Sequence, residues 1–246
     1  MKFTLVLLIF GIILLISIPI NSEVSSLALT PMDELKDWAE KRQISLQGVN
    51  KDSGHFVRTG SIEPSDKIPL QDVPDVINQI QSLYLIPDNV LDVMQGKTIY
   101  LSSEYGRSFA VYSIFTKQTQ DNELLNRGLI IEQGTLKRTV VHELGHIVDI
   151  HGIQGTFDDQ KNIFSNLKKQ RDDLFELDFQ YDPKTGAYPA GFVSSYSMHN
   201  EKENFAEHFA YYVIYPDEFR EKMASDPLLK SKYEFLRDHI FEGTEY

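Results

Sequence analysis

The alternation of apolar and polar positions divides the chain into regions of different character. An apolar run covers positions 4–20, broken only by Gly11, Ser17 and Pro19; Lys2 precedes it, and charge returns at Glu23, after Ser22. A basic start, an apolar middle and a small-residue exit predict a secretory signal peptide over 1–22, cleaved at about 22–26. The run also approaches the length that crosses about 30 Å of hydrocarbon, so a membrane anchor through uncleaved residues 4–20 is the alternative. Thr30-Pro31-Met32-Asp33 combines a hydroxyl cap, a first-turn proline and an acid, and predicts a helix to about Arg42. Residues 49–69 mix Gly, Ser, Asp, Pro and Thr and read as loop, with one short strand near Phe56-Val57. Two modest helices are expected at about 73–83 and 88–95, the second closed by Gly96.

The segments 97–102, 107–115 and 127–132 are rich in Ile, Tyr, Phe and Val between turn residues and read as strands. From Thr135 onward the pattern is helical, at about 135–150, 158–176, 200–215, 217–224 and 228–241, with Pro216 and Pro227 at two of the starts. An irregular stretch at about 178–198 holds Pro183, Gly186, Pro189 and Gly191, and loops of that length inside a domain are often functional. The prediction is an α+β fold, mostly helical, with a small mixed sheet packed on the helix that begins near 135. It forms a single domain over 27–246.

Composition narrows the chemistry. The 246 residues carry 24 Lys and Arg against 36 Asp and Glu, a net charge of −12 that speaks against nucleic-acid binding. The hydrophobic share of 41%, with 15 Phe and 12 Tyr, argues for a packed core rather than disorder. With no cysteine, disulfide scaffolds, zinc ribbons and thiol nucleophiles are excluded.

The sharp motif is His142-Glu143-Leu144-Gly145-His146. On a helix, residues four apart share a face, so His142 and His146 converge on one metal ion, with zinc the natural fit for imidazole. Glu143 lies about 100° round the helix, placed to act as a base beside the metal. A third ligand is required. The metzincin pattern fails, because Asp149 and Gly152 stand where it needs Gly and His, and His151 falls on the opposite face. Glu203-Asn204-Phe205-Ala206-Glu207 offers two carboxylates four apart on one face. Like charges at that spacing repel unless a cation lies near. One of the two ligates on this reading, and the other accepts a proton from a ligand imidazole.

These segments, with Tyr196 seven residues before Glu203, resemble the anthrax lethal factor-like zinc metallopeptidase family and its small secreted relatives, the Pro-Pro endopeptidases. The likeness spans about 70–240 and extends more loosely to 96–100 and 128–133. It implies a zincin-type fold with one zinc per chain, held by His142, His146 and Glu203. Glu143 would be the catalytic base, Tyr196 would face the reaction centre and Glu207 would support a ligand histidine. A phenol with a pKa near ~10 stays protonated and can donate to a developing oxyanion. The segment between His146 and Tyr196 is longer than in the small relatives. Leu129, Ile130 and Ile131 are candidates for pairing with an extended substrate, and Tyr181, Tyr188 and Phe192 for lining the cleft.

The expectation is a secreted, monomeric zinc endopeptidase of gluzincin type. It would act on extracellular protein or peptide substrates, with proline-rich sites as the suggested target, and would have no nucleic-acid partner and no stable membrane partner after signal cleavage. A toxin-like protease acting on host proteins is a second reading, and a non-catalytic, zinc-stabilised binding protein a third. An intact Glu143 favours turnover over the last of these.

Overall fold

Helix α1 (Pro31–Lys41) begins at its proline and buries Leu35 and Ala39, one turn apart. It belongs to a computed structural model that describes residues 31–50, 67–73, 77–105, 128–133, 135–154, 163–176 and 189–246. The signal segment 1–22 and the strands expected near Phe56 and at 107–115 lie outside the described residues. After α1 the chain turns through Gln43, at a φ of 56°, into strand β1 (Ser45–Val49). β2 (Lys67–Ile68) pairs antiparallel with β1. β3 (Thr98–Tyr105) and β4 (Leu129–Gln133) add parallel strands, giving the order β2-β1-β3-β4. Ile99 pairs with Leu46 and Leu129 on its two sides, so the sheet is mixed and small, as the pattern predicted.

Two strands lie where the sequence pattern predicts none. β1 was not foreseen because its SLQGV sequence has neither apolar alternation nor β-branched density, and β2 falls inside what read as loop. Two expected helices are also broken into shorter pieces. Among the described residues of 73–83, α2 (Ile77–Ile80) is followed by a 3-10 segment Gln81–Leu85; region 88–95 holds α3 (Asp88–Leu91) followed by a 3-10 turn Asp92–Met94. The helix expected over 158–176 is described from 163 onward, where a 3-10 turn Ser165–Leu167 leads into α5 (Lys168–Phe175).

α4 (Lys137–Ile147) carries the histidine motif and passes directly into a π-helical segment, Val148–Gln154. α6 (Glu201–Ile214) carries the paired carboxylates. Its start is set by Asn200, whose Oδ1 accepts from the backbone N–H groups of Lys202 and Glu203, each at 3.0 Å. Two short helices complete the described fold: α7 (Pro216–Met223) and α8 (Pro227–Phe235), the latter extended by a π-helical turn Leu236–Ile240.

Apolar residues recurring along α4 (Val140, Val141, Leu144, Ile147) and along α6 (Phe205, Phe209, Tyr212, Val213) share one core with Ile99, Leu101, Leu129 and Ile131 of the sheet. Burying each such side chain contributes roughly 1.5–3 kcal/mol. The two helices approach closely at one point. A Cβ added to Gly145 would lie 3.0 Å from the Ala206 Cα and 3.2 Å from the Phe209 Cβ. Gly145 and Ala206 therefore set the separation of α4 and α6, and with it the distance between the histidines and Glu203.

Gly145→Ala is expected to lower the thermal unfolding midpoint of the metal-free protein and to weaken zinc binding. Alanine gains about 1 kcal/mol in helix propensity, but the backbone in its way makes overpacking of about 1–3 kcal/mol the larger effect. A midpoint unchanged or raised, with zinc affinity intact, would show that the helices have room to spare.

Candidate metal centre

Helical spacing puts His142 and His146 on one face of α4, with ring centroids 4.8 Å apart and planes nearly perpendicular. Glu203 enters from the first turn of α6. Its Oε2 lies 3.0 Å from His142 Nε2 and 3.3 Å from His146 Nε2, and one ligand atom from each residue lies within 4.8 Å of the others. Zinc bonds of about 2.0–2.1 Å in a tetrahedron imply ligand atoms about 3.3 Å apart. Two imidazoles and a carboxylate at this spacing fit zinc. With zinc bound they would supply three protein ligands and leave a fourth position open. The histidines are buried and Glu203 is partly exposed, so the open side faces solvent. Among the described residues this is the group of metal-binding side chains that converges. His151 is not part of it; it is buried in the π-helical segment beyond α4.

Glu207, one turn after Glu203, is almost fully buried and supports His142. Its Oε1 lies 2.8 Å from His142 Nδ1, which leaves Nε2 turned to Glu203. Its Oε2 accepts from Ser194 Oγ at 2.5 Å and pairs with the Arg138 guanidinium. Arg138 also lies over the Tyr211 ring, at 5.6 Å.

The titrations follow from this geometry. Burial alone would lower the pKa of His142, but its bonds to Glu203 and Glu207 win and raise it to about 9. Burial lowers that of His146, which keeps it neutral and ready to ligate. Burial works to raise that of Glu203, yet the two imidazoles bring it down to about 2. Glu143, half-buried beside them, is pushed up to about 8, first by burial and then by the negative Glu203 and Glu207, against the pull of His142. A cation held by the three ligands would oppose that rise.

Tyr196 stands in a 3-10 turn, Tyr196–Met198, with 47% of its surface exposed. Its ring centroid is 5.6 Å from that of His142 and 4.8 Å from that of His199. Burial and the charges of Glu203, Glu143 and Glu207 raise its pKa, so the phenol keeps its proton. Leu129, Ile130 and Ile131 lie on β4, at one edge of the described sheet. All three are buried: Leu129 and Ile131 join the core, and Ile130 points to the other face of the sheet. Phe192 is buried too, its ring 4.8 Å from the Lys232 ammonium, while Tyr181 and Tyr188 lie outside the described residues.

Sequence reasoning missed Arg138 and Ser194. Arg138 was findable, since it precedes His142 by four residues on the same helical face. Ser194 carried no such signal. Also missed was a fully buried pair, in which Arg171 donates to Asp149 through Nε at 2.8 Å and Nη2 at 2.5 Å. Arg171 reaches the Glu201 carbonyl as well, at 3.3 Å, so it ties the segment after the histidine motif to the start of α6.

The model of a family described as "Putative zinc-binding metallo-peptidase" matches residues 76–239, most of the chain and every residue of the centre. The protein belongs to this zinc-binding metallopeptidase family. None of the curated proteins compared with the chain matches it.

Two expectations follow. Zinc must displace the proton on His142 Nε2, so apparent affinity should rise by about tenfold per pH unit from neutrality and level off above about 9. A chelator-competition titration checks this, and an affinity flat from pH 7 to 9 would contradict it. Glu203→Ala should weaken zinc binding by at least about tenfold, against little change for Glu201→Ala; equal effects would place the carboxylate ligand elsewhere.

Proposed function

We propose that the protein is an exported zinc endopeptidase of gluzincin type, similar in its active-site plan to the lethal factor-like peptidases. The observation that carries the reading is the pairing of two environments on adjacent residues. His142 is held between Glu207 and Glu203, while Glu143 beside it on α4 stands outside the converging group His142, His146 and Glu203 and is placed to move a proton. A structural site would have no use for such a base and would fill its fourth position with protein. When bound, zinc supplies Lewis acidity that polarises a carbonyl and acidifies water.

The chain's own residues do the rest. Glu143 accepts a proton from the attacking water and delivers it to the departing amide nitrogen. Tyr196, held in its protonated form beside the centre, donates to the oxyanion that forms at the scissile carbonyl. Glu207 holds His142 in orientation, and Arg138 and Ser194 hold Glu207. An extended peptide would add to β4 as a further strand, with main-chain pairing giving affinity; residues 129–132 are buried, so that edge would first have to be uncovered.

The segment 1–22 supports export, and the motif likeness supports extracellular proteins, with proline-rich sites as the first substrates to try. No described helix is long and apolar enough to cross a membrane. The negative charge supports a protein rather than a nucleic-acid substrate.

The test is mass-spectrometric cleavage of a peptide library, with proline-rich members, by the zinc-loaded protein and its Glu143→Ala variant. The variant should keep its zinc and lose at least about a hundredfold in turnover. Cleavage at equal rates by both proteins would remove Glu143 as the base. No cleavage by the intact protein would favour a zinc-stabilised binding protein.

A further inference from the structure

Behind α6, away from the metal ligands, a lysine is fully buried. Lys232 of α8 has no exposed surface, yet its Nζ donates to the Gly191 carbonyl at 2.5 Å and to Asn204 Oδ1 at 2.9 Å. The Phe175 and Phe192 rings flank the ammonium at 5.0 and 4.8 Å. Burying an amine in an aromatic core costs free energy that a methionine or leucine would avoid, so its two bonds need a reason. They lead to two places that matter. Asn204 follows the metal ligand Glu203, and Gly191 begins the segment that delivers Ser194 to Glu207 and Tyr196 to the centre.

Gly191 is held at its other end as well. Its N–H donates to Asp226 Oδ2 at 2.7 Å, and the other oxygen of Asp226 caps α8 by accepting from Leu228 N and Leu229 N. Gly191 adopts a φ of +88°, and a Cβ there would lie 2.5 Å from Leu228 Cδ2. Both backbone groups of one glycine are thus gripped by the first six residues of a single helix and the cap before it. From that fixed point the chain runs three residues to Ser194 and five to Tyr196. The 194–199 turn closes on itself through Ser197 Oγ to the Ser194 carbonyl, at 2.6 Å, and Ser197 N to Ser194 Oγ, at 3.2 Å.

We infer that Lys232 and Asp226 are positioning residues: they latch Gly191 to α8 and so fix the turn that presents Tyr196 and Ser194 to the metal centre. The inference rests on the peptidase reading for what Tyr196 does, and on geometry alone for the latch. Lys232 binds the turn and the ligand helix at once, so it sets Tyr196 relative to Glu203 rather than merely filling space.

Asp226→Asn is the clean test, because the remaining Oδ1 still caps α8 while the acceptor for Gly191 N–H is lost. Lys232→Met is the companion variant. Hydrogen–deuterium exchange of the zinc-free protein should show amides of 191–199 exchanging about tenfold faster in Asp226→Asn, the loss of roughly one hydrogen bond. Amides of α4 should not change. Unchanged exchange over 191–199 would overturn the latch. In peptide cleavage, Asp226→Asn should lower kcat by about tenfold or more with KM and zinc content retained. In a Tyr196→Phe background the same substitution should cost clearly less, leaving only what passes through Ser194 and Glu207. An equal loss in both backgrounds would overturn positioning through Tyr196. A wild-type protein that cleaves nothing would sink the peptidase reading, and exchange would still decide the latch.

Discussion

The contact between α4 and α6 at Gly145 and Ala206 is the constraint on which the rest of the structure depends. Two helices with ordinary side chains at the crossing pack with axes about 8–10 Å apart. Here the smallest residues occupy the crossing, and a single added methyl carbon at Gly145 would meet backbone. The approach lets a short glutamate side chain from the first turn of α6 reach two imidazoles on α4 at 3.0 and 3.3 Å. Every other feature of the centre is arranged around that geometry. Asn200 fixes where α6 begins, Arg171 ties that beginning to the continuation of α4, and Glu207 locks His142 one turn further along.

Electrostatics explains why such a site favours a cation. Glu143, Glu203 and Glu207 lie close together in a poorly solvated cleft, with Arg138 and the imidazoles as the positive groups beside them. In the metal-free protein the tension is relieved by protons, on His142 and on Glu143. A divalent ion at the three residues would take the place of the proton on His142 and oppose the rise that burial and the neighbouring carboxylates give the Glu143 pKa. Burial and the same charges raise the Tyr196 pKa, so its phenol keeps its proton.

How much of this was legible in the sequence depended on periodicity. His142 with His146, and Glu203 with Glu207, could be read as shared faces because α4 and α6 are long enough for the 3.6-residue repeat to be unambiguous. The helical character of the second half followed for the same reason, and prolines marked the starts of α7 and α8. Short elements were not legible. β1 is a strand because β3 offers it a partner, and β2 because β1 does, not because their residues prefer it; the described part of the helix expected over 73–83 passes from α2 into a 3-10 segment. Ser194, Lys232 and the Asp149–Arg171 pair act on residues 13 to 41 positions away, and a lysine buried among aromatic rings looks like any surface lysine until the fold is known.

The central claim is that two histidines and one glutamate, brought together by this helix crossing, hold zinc with a position to spare. X-ray absorption at the zinc edge of the loaded protein tests it most directly. The account predicts two imidazole ligands and light oxygen neighbours at about 2.0–2.1 Å in a four-coordinate shell. A shell with three or more imidazoles, or six oxygens and no imidazole, would contradict it.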